Sequence, residues 1–226
     1  MFNWDFRLLS PTLEDKALPS KIHRVYLDGF GLKKGWSLEG VESALARCDA
    51  LGLLLDSGNE ICGYAFYSCP RERLRGRWLL WEDAIGLEKR AQGLGLSEAA
   101  LAAVWALYPE RTFGWIGGRT QNPIVMKRYA HFGPVFPFDY SYSEGEGPEV
   151  MSFLRTYIAE ARDVPQLDPI TGICSGVYRS GRLGDYAEDI DGGERFEVPL
   201  RQWNFQRLRG DAILVVARIG ESWKYW

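Results

Sequence analysis

The sequence is short of the residues and patterns that mark several large protein classes. It has only two histidines, His23 and His131, and four cysteines, Cys48, Cys62, Cys69 and Cys174, none of them in a C-x-x-C pair. Structural zinc sites need thiolates and imidazoles at short, paired spacings, so no zinc site and no other metal is expected. The same sparse cysteine usage fits a reducing, cytoplasmic setting. No apolar run approaches the roughly 18 residues of a membrane span. The N-terminal stretch Met1 to Arg7 lacks the basic-then-apolar pattern of a signal peptide. A basic excess is missing too. The net charge is −3 and the pI about 5.6, which argues against a nucleic-acid-binding surface. There is no internal repeat and no low-complexity tract.

What is present is an ordinary globular composition: 226 residues, 46% apolar and 25% charged, enough for one large domain or a domain with an extension. The most informative stretch is 78–101. Trp78-Leu79-Leu80-Trp81 reads as a buried strand, and residues 97–107 read as a helix, with Leu96, Ala100 and Val104 at helical spacing. Between them lies Arg90-Ala91-Gln92-Gly93-Leu94-Gly95. Glycines at a strand-to-helix junction let the backbone approach a bulky polar ligand. The free N–H groups and dipole of the first helical turn then favour an anion such as a pyrophosphate. Close packing of the helix onto the strand is the other use such glycines have. The stretch lacks the Lys-Ser/Thr ending of a P-loop and the third glycine of a dinucleotide fingerprint.

Arg90, Gly93 and Gly95 form an R-x-x-G-x-G stretch that resembles the acetyl-CoA loop of the GNAT superfamily of acyl-CoA N-acyltransferases. Downstream, Asn122-Pro123, Tyr129 and Gly133 resemble the superfamily's N-P-x-x-x-x-x-Y-x-x-x-G helix. The resemblance covers residues 50–137. It implies an α/β fold with a mixed, mostly antiparallel sheet flanked by helices and with its middle strands splayed. It also implies transfer of an acetyl or longer acyl group from acetyl-CoA to a primary amine, by direct attack in a ternary complex. The acceptor would be a small molecule, peptide or protein, with no nucleic-acid or membrane partner.

The resemblance also implies site residues. The backbone of Gln92, Gly93, Leu94, Gly95 and Leu96 would meet the pyrophosphate beside Arg90. Ala84 and Ile85 would hold the pantetheine arm through main-chain hydrogen bonds, with Leu87 also among the cofactor-binding residues. Asn122 would contact the arm near the thioester. Tyr129 falls at the position of the general acid that protonates the leaving thiolate. Many members carry a glutamate that acts as the base on the following strand, five residues before the Asn-Pro pair, and here that position is Gly117. Glu82 on the central strand, beside Asp83, is therefore the expected base, with His131 and His23 as alternatives. The departure at Gly117 also leaves open a non-catalytic, GNAT-like acyl-CoA-binding or interaction protein. Cys62 and Cys69 read as small core residues, not acyl carriers.

The remaining elements follow from local pattern. Strands are expected at 6–9, 50–56, 60–68, 113–119, 135–140, 173–179 and 211–219. Helices are expected at 13–27, 38–47 behind an N-cap at Ser37, 122–132 and 149–161. Arg71, Arg73, Arg75 and Arg77 mark a solvated turn, and 185–194 an acidic loop. The strand at 211–219 is expected to pair antiparallel with 135–140. That divides the chain into a core over 1–140, an insertion over 141–210 and a last core strand and tail over 211–226; the competing reading is an independent small C-terminal domain. A homodimer through the insertion is one option.

Overall fold

The computed structural model describes residues 2–8, 15–30, 36–159, 166–178, 182 and 193–220. The chain divides into two compact units, Met1–Cys69 with Trp81–Thr112, and Pro70–Leu80 with Phe113–Trp226.

The first unit is built on antiparallel strands. β1 (Asn3–Leu8) is followed by helices α1 (Leu18–Phe30) and α2 (Leu38–Arg47), strands β2 (Ala50–Leu55), β3 (Ile61–Ser68) and β4 (Trp78–Leu87, of which residues 81–87 lie in this unit), and helix α3 (Leu96–Ala106). β2 lies between β1 and β3, with Trp4 opposite Leu54 and Leu53 opposite Tyr64. β4 pairs along β3, with Ala65 opposite Ile85. Successive strand residues face opposite sides, and the two sides bury different helices. Leu51, Leu53, Tyr64 and Phe66 pack on Ile22, Val25 and Tyr26 of α1 and on Val41 and Leu45 of α2. On the other face, Leu54 and Cys62 pack with Ala91, Trp4 and Leu96, and the Trp4 indole donates to the Leu96 carbonyl at 2.8 Å. Ser37 caps α2 as expected, its hydroxyl accepting from Gly40 N–H at 3.1 Å. The first helix runs later than the 13–27 expected, with Pro19 in its opening turn, where its missing N–H costs nothing. Residues 9, 13 and 14 of the expected elements lie outside the described residues.

In the second unit the last strand is central. β5 (Phe113–Thr120), α4 (Pro123–Ala130), β6 (Val135–Phe136), α5 (Gly147–Leu154), β7 (Ile173–Cys174) and α6 (Glu194–Gln202) precede β8 (Ala212–Arg218). One edge of β8 pairs with β5, from Trp115 opposite Arg218 to Thr120 opposite Ile213. Its other edge is shared, with β6 against Val216 and Ala217 and β7 against Ala212 and Ile213. All these pairings are antiparallel, so the α/β class and mostly antiparallel pairing expected from the sequence are present, as is the pairing of the last strand with the segment after α4.

Several expected elements are shorter than the pattern suggested. The strand at 135–140 stops after Phe136, because Pro137 has no N–H to donate and Asp139 N–H turns back to the Val135 carbonyl at 2.7 Å. The strand at 173–179 is two residues long and ends before Gly176, which sits at φ 64°. The helix expected from 149 begins at Gly147 and passes into a π-helical turn over Arg155–Ala159, while 160–161 lie outside the described residues. α6 has no counterpart in the sequence reading. It is anchored by only two buried residues, Phe196 and Leu200, and has Pro199 inside it. Of the acidic stretch 185–194, only residues 193 and 194 are described. The arginine-rich turn is partly tied down: Arg73 lies over the Trp78 ring at 5.0 Å, and Arg75 pairs with Glu146 and Glu149.

Candidate active site

β4 carries a bulge in the middle of its pairing with β3. Phe66 lies opposite Ala84 and Tyr67 opposite Glu82, which leaves Asp83 as an extra residue. The Tyr67 hydroxyl donates to Glu82 Oε2 at 3.2 Å, while the Ser68 hydroxyl donates to the Asp83 carboxylate. Tyr67 and Ser68 are successive residues of β3, so these two carboxylates face opposite sides of the strand pair. Ser68 shares its side with Tyr64 and Phe66, which pack against α1 and α2, so Asp83 faces those helices and Glu82 faces away from them. Glu82 is 6% exposed, and Asp83 is half-buried. Ala84, Ile85 and Leu87 are half-buried on the same strand.

Beyond Leu87 the chain makes a 3-10 turn over Lys89–Ala91 and reaches α3 through two left-handed glycines, Gly93 at φ 73° and Gly95 at φ 69°. A Cβ built at either glycine would meet nothing within 4 Å among the described residues. The glycines therefore do not serve close packing of helix on strand. They supply a backbone conformation that other residues resist, and they leave open space before it. Gly95 is the N-cap of α3, and the first helical hydrogen bond runs from Ala99 N–H to Gly95 O at 3.3 Å. The N–H groups of Leu96, Ser97 and Glu98 precede that bond, as at any helix start. Leu94, between the glycines, is 57% exposed. Gln92 differs from the expectation: its backbone N–H closes the 3-10 turn on Lys89 O at 3.3 Å, so it is not among the outward donors.

Arg90 is used as a brace. Its guanidinium meets Asp56 at 2.8 Å and Glu88 at 2.8 Å, and Glu88 also lies 3.7 Å from Arg24. The carboxylates raise the guanidinium's pKa further, while the Glu60 N–H and then Arg90 hold Asp56 below the usual carboxylate range. Asp56 in turn closes the β2–β3 turn by accepting from Gly58 N–H and Glu60 N–H. Glu98 lies in the first turn of α3. Asp56, Glu88, Tyr67, Ser68 and Asp83 were not singled out for these contacts by the sequence reading. Glu88 meets Arg90 two residues away, whereas the contacts of Asp56, Tyr67, Ser68 and Asp83 depend on strand pairing, for which neighbouring residues carry no signal.

The second unit holds the remaining expected residues. Asn122 is the N-cap of α4, its Oδ1 accepting from Ile124 N–H at 2.9 Å, with Pro123 in the first turn. Tyr129 is fully buried in α4, with Arg128 5.1 Å from its ring centroid. Gly117 is buried in β5 opposite Val216. His131 is exposed at the end of α4. His23, in the first unit, lies 2.8 Å from the Trp36 carbonyl and stacks on Tyr26. All four cysteines are buried and unbridged. Among the described residues no cluster of three or more His, Cys, Asp or Glu could hold a metal, and no helix is long and apolar enough to cross a membrane.

No protein-family model and no curated protein matches the sequence. Solved structures to which this chain is similar include several N-acetyltransferases. One is the glucosamine N-acetyltransferase region of a fungal multi-domain β-N-acetylglucosaminidase, at 13% identity and TM-score 0.42, covering 70% of this chain and 17% of that one. Another is N-acetylglutamate synthase from Neisseria gonorrhoeae complexed with coenzyme A and N-acetylglutamate, at 12% identity and TM-score 0.47, covering 97% of this chain and 36% of that one. A third is a GNAT family N-acetyltransferase from Escherichia coli in complex with CoA, at 12% identity and TM-score 0.41, covering 57% and 68%. This chain spans less than a fifth of the first and little more than a third of the second.

Proposed function

We propose that the protein is an acyl-CoA-dependent N-acyltransferase that acetylates a primary amine by direct attack in a ternary complex. The observation that carries this reading is the pair of left-handed glycines, Gly93 and Gly95, opening α3 onto free space within an R-x-x-G-x-G frame. That geometry suits the diphosphate of CoA, because the anion meets N–H groups and the positive end of the helix with no side chain in the way. Acetyl-CoA supplies the activated thioester.

The chain's own residues do the rest. The backbone of Gly93, Leu94, Gly95 and Leu96 holds the diphosphate, with Arg90 bracing the loop and not contacting the ligand. The main chain of Ala84, Ile85 and Leu87 aligns the pantetheine arm, and Asn122, its oxygen already capping α4, presents its amide near the thioester. Glu82 takes the proton from the attacking amine, and the Tyr129 hydroxyl gives one to the leaving thiolate. A phenol of pKa about 10 can protonate a thiolate of about 8.5 when the geometry is tight. The greater exposure of Asp83, and its place on the α1–α2 face, favour it as the alternative base. The acceptor is a small molecule, peptide or protein in a cytoplasmic setting. A second reading, a non-catalytic acyl-CoA-binding protein, is favoured by glycine at position 117, where a base would be expected.

Calorimetric titration with acetyl-CoA tests the reading. Micromolar binding by the wild type, abolished in a folded Gly93→Trp variant, supports the site. Absence of binding by well-folded wild-type protein overturns both readings. An amine screen with Tyr129→Phe as control then separates enzyme from binding module.

A further inference from the structure

The loop assigned to acyl-CoA is joined to the last turn of α1 by two hydrogen bonds, and one of the two side chains involved also bonds to β4. The Gln92 side-chain amide donates to Gly29 O at 3.0 Å and to Leu87 O at 2.9 Å. Lys89 N–H donates to the Asp28 carboxylate at 2.9 Å. Gly29 approaches the strand so closely that a Cβ there would stand 2.3 Å from the Leu87 carbonyl oxygen. The last carbonyls of a helix have no partner within it, and α1 has no basic residue in its last turn to meet them. A side chain from the acyl-CoA loop does so instead, and the same amide covers the last carbonyl of β4. Gln92 itself is exposed, so burial does not account for its position.

We infer that Gln92 is a positioning residue that couples occupancy of the Gly93–Gly95 loop to the last turn of α1. The inference rests on the proposed acyl-CoA site. α1 and α2 cover the face of β4 that carries Asp83 and Ala84, so the turn held by Gln92 borders the strand on which the transfer is proposed. Gln92 immediately precedes the two glycines. An anion that fixes the N–H groups of residues 93–98 removes freedom from the Gln92 backbone, and its two side-chain hydrogen bonds become more persistent. Those bonds in turn order Gly29. By linkage, loosening α1 weakens binding at the loop to the same degree.

The test is amide hydrogen exchange of the full chain with and without CoA, read on peptides covering residues 22–30, together with calorimetric CoA affinity. The variants are Gln92→Ala, which removes both hydrogen bonds, and Gln92→Glu, whose carboxylate meets two carbonyl oxygens with no proton to give. In wild-type protein CoA is expected to slow exchange in the last turn of α1 by about tenfold. In both variants that slowing falls below about twofold and CoA binds about fivefold more weakly, within the usual range of coupling between sites. Thermal melts close to wild type show that the variants are folded, as expected for an exposed side chain. CoA binding that leaves α1 exchange unchanged in wild-type protein, or slows it equally in the variants, overturns the coupling and leaves the proposed function standing. Failure of the wild type to bind CoA overturns the proposed function itself, and the coupling with it.

Discussion

Tyr67 donates its hydroxyl proton to Glu82 Oε2 at 3.2 Å across the β3–β4 pairing, at the register position where the bulge begins. The next residue of each strand makes the equivalent contact on the other face, Ser68 to Asp83. A single bulge thus presents two adjacent carboxylates to two different surroundings, one buried beside a phenol and one half-buried toward α1 and α2.

Glu82→Gln keeps an oxygen for the Tyr67 hydroxyl but cannot take up a proton. With acetyl-CoA and an identified amine, it is expected to lower kcat by about 100-fold, while Asp83→Asn changes kcat by less than about threefold. Acetyl-CoA affinity is unchanged in both. Steady-state kinetics on the pair decide between them, since a larger loss in Asp83→Asn moves the base to the α1–α2 face.

Tyr129→Phe removes one oxygen from a fully buried ring and leaves its apolar packing in place. The expected result is a kcat lower by about tenfold or more with acetyl-CoA affinity unchanged, the mark of a proton donor used only in the transition state. An unaltered kcat assigns Tyr129 to packing alone.

Two glycines with positive φ separate a steric requirement from a conformational one. Gly133 is at φ 154°, and a Cβ there would lie 2.0 Å from the Arg218 carbonyl oxygen on β8. Gly133→Ala is expected to cost about 3 kcal/mol in urea unfolding, at the upper end for overpacking against backbone that cannot yield. Gly93→Ala meets open space, and its cost is the left-handed backbone alone, about 1–2 kcal/mol. Equal costs for the two would contradict the close approach at Gly133.

Burial pushes the Cys69 thiol from 9.0 up to about 11 and the Cys174 thiol up to about 12. Between pH 9 and 11 the unfolded chain gives up thiol protons that the folded chain retains, so the folded state binds more protons. Stability then falls as pH rises through that window and is unaffected below pH 8 on account of these groups. Urea midpoints at pH 7.5, 9 and 10.5 measure the effect. Cys69→Ser with Cys174→Ser should flatten the alkaline limb, because serine hydroxyls do not titrate there.

Local chemistry was enough to read much of the frame. Ser37 ahead of an apolar-periodic run marks α2, Gly58-Asn59 between apolar strands marks the β2–β3 turn, and Pro123 behind Asn122 marks the start of α4. Each of these signals lies within a few residues of the structure it specifies. The two glycines after β4 belong to the same class, since only the chain's own backbone decides whether a Cβ can be carried at positive φ. The sequence by itself therefore determined where most strands and α2, α3 and α4 begin, and that a glycine-lined helix start follows β4.

Tertiary structure decided what depends on pairing between distant residues. Alternation alone shows that Glu82 and Asp83 diverge, but the bulge decides which faces Tyr67 and which faces Ser68. Arg90 lies beside Asp56 because β2 and β3 bring their turn to the loop, and Gln92 reaches Gly29 because Gly29 permits α1 to touch β4. β6 and β7 fall where strands were expected, but each is only two residues long, because β8 offers each of them only a short stretch of edge. α6, with two apolar anchors and an internal proline, is a helix only where Phe196 and Leu200 find a core to enter. In each of these cases the deciding partner is far away in sequence, so the residue's neighbours in the chain hold no trace of it.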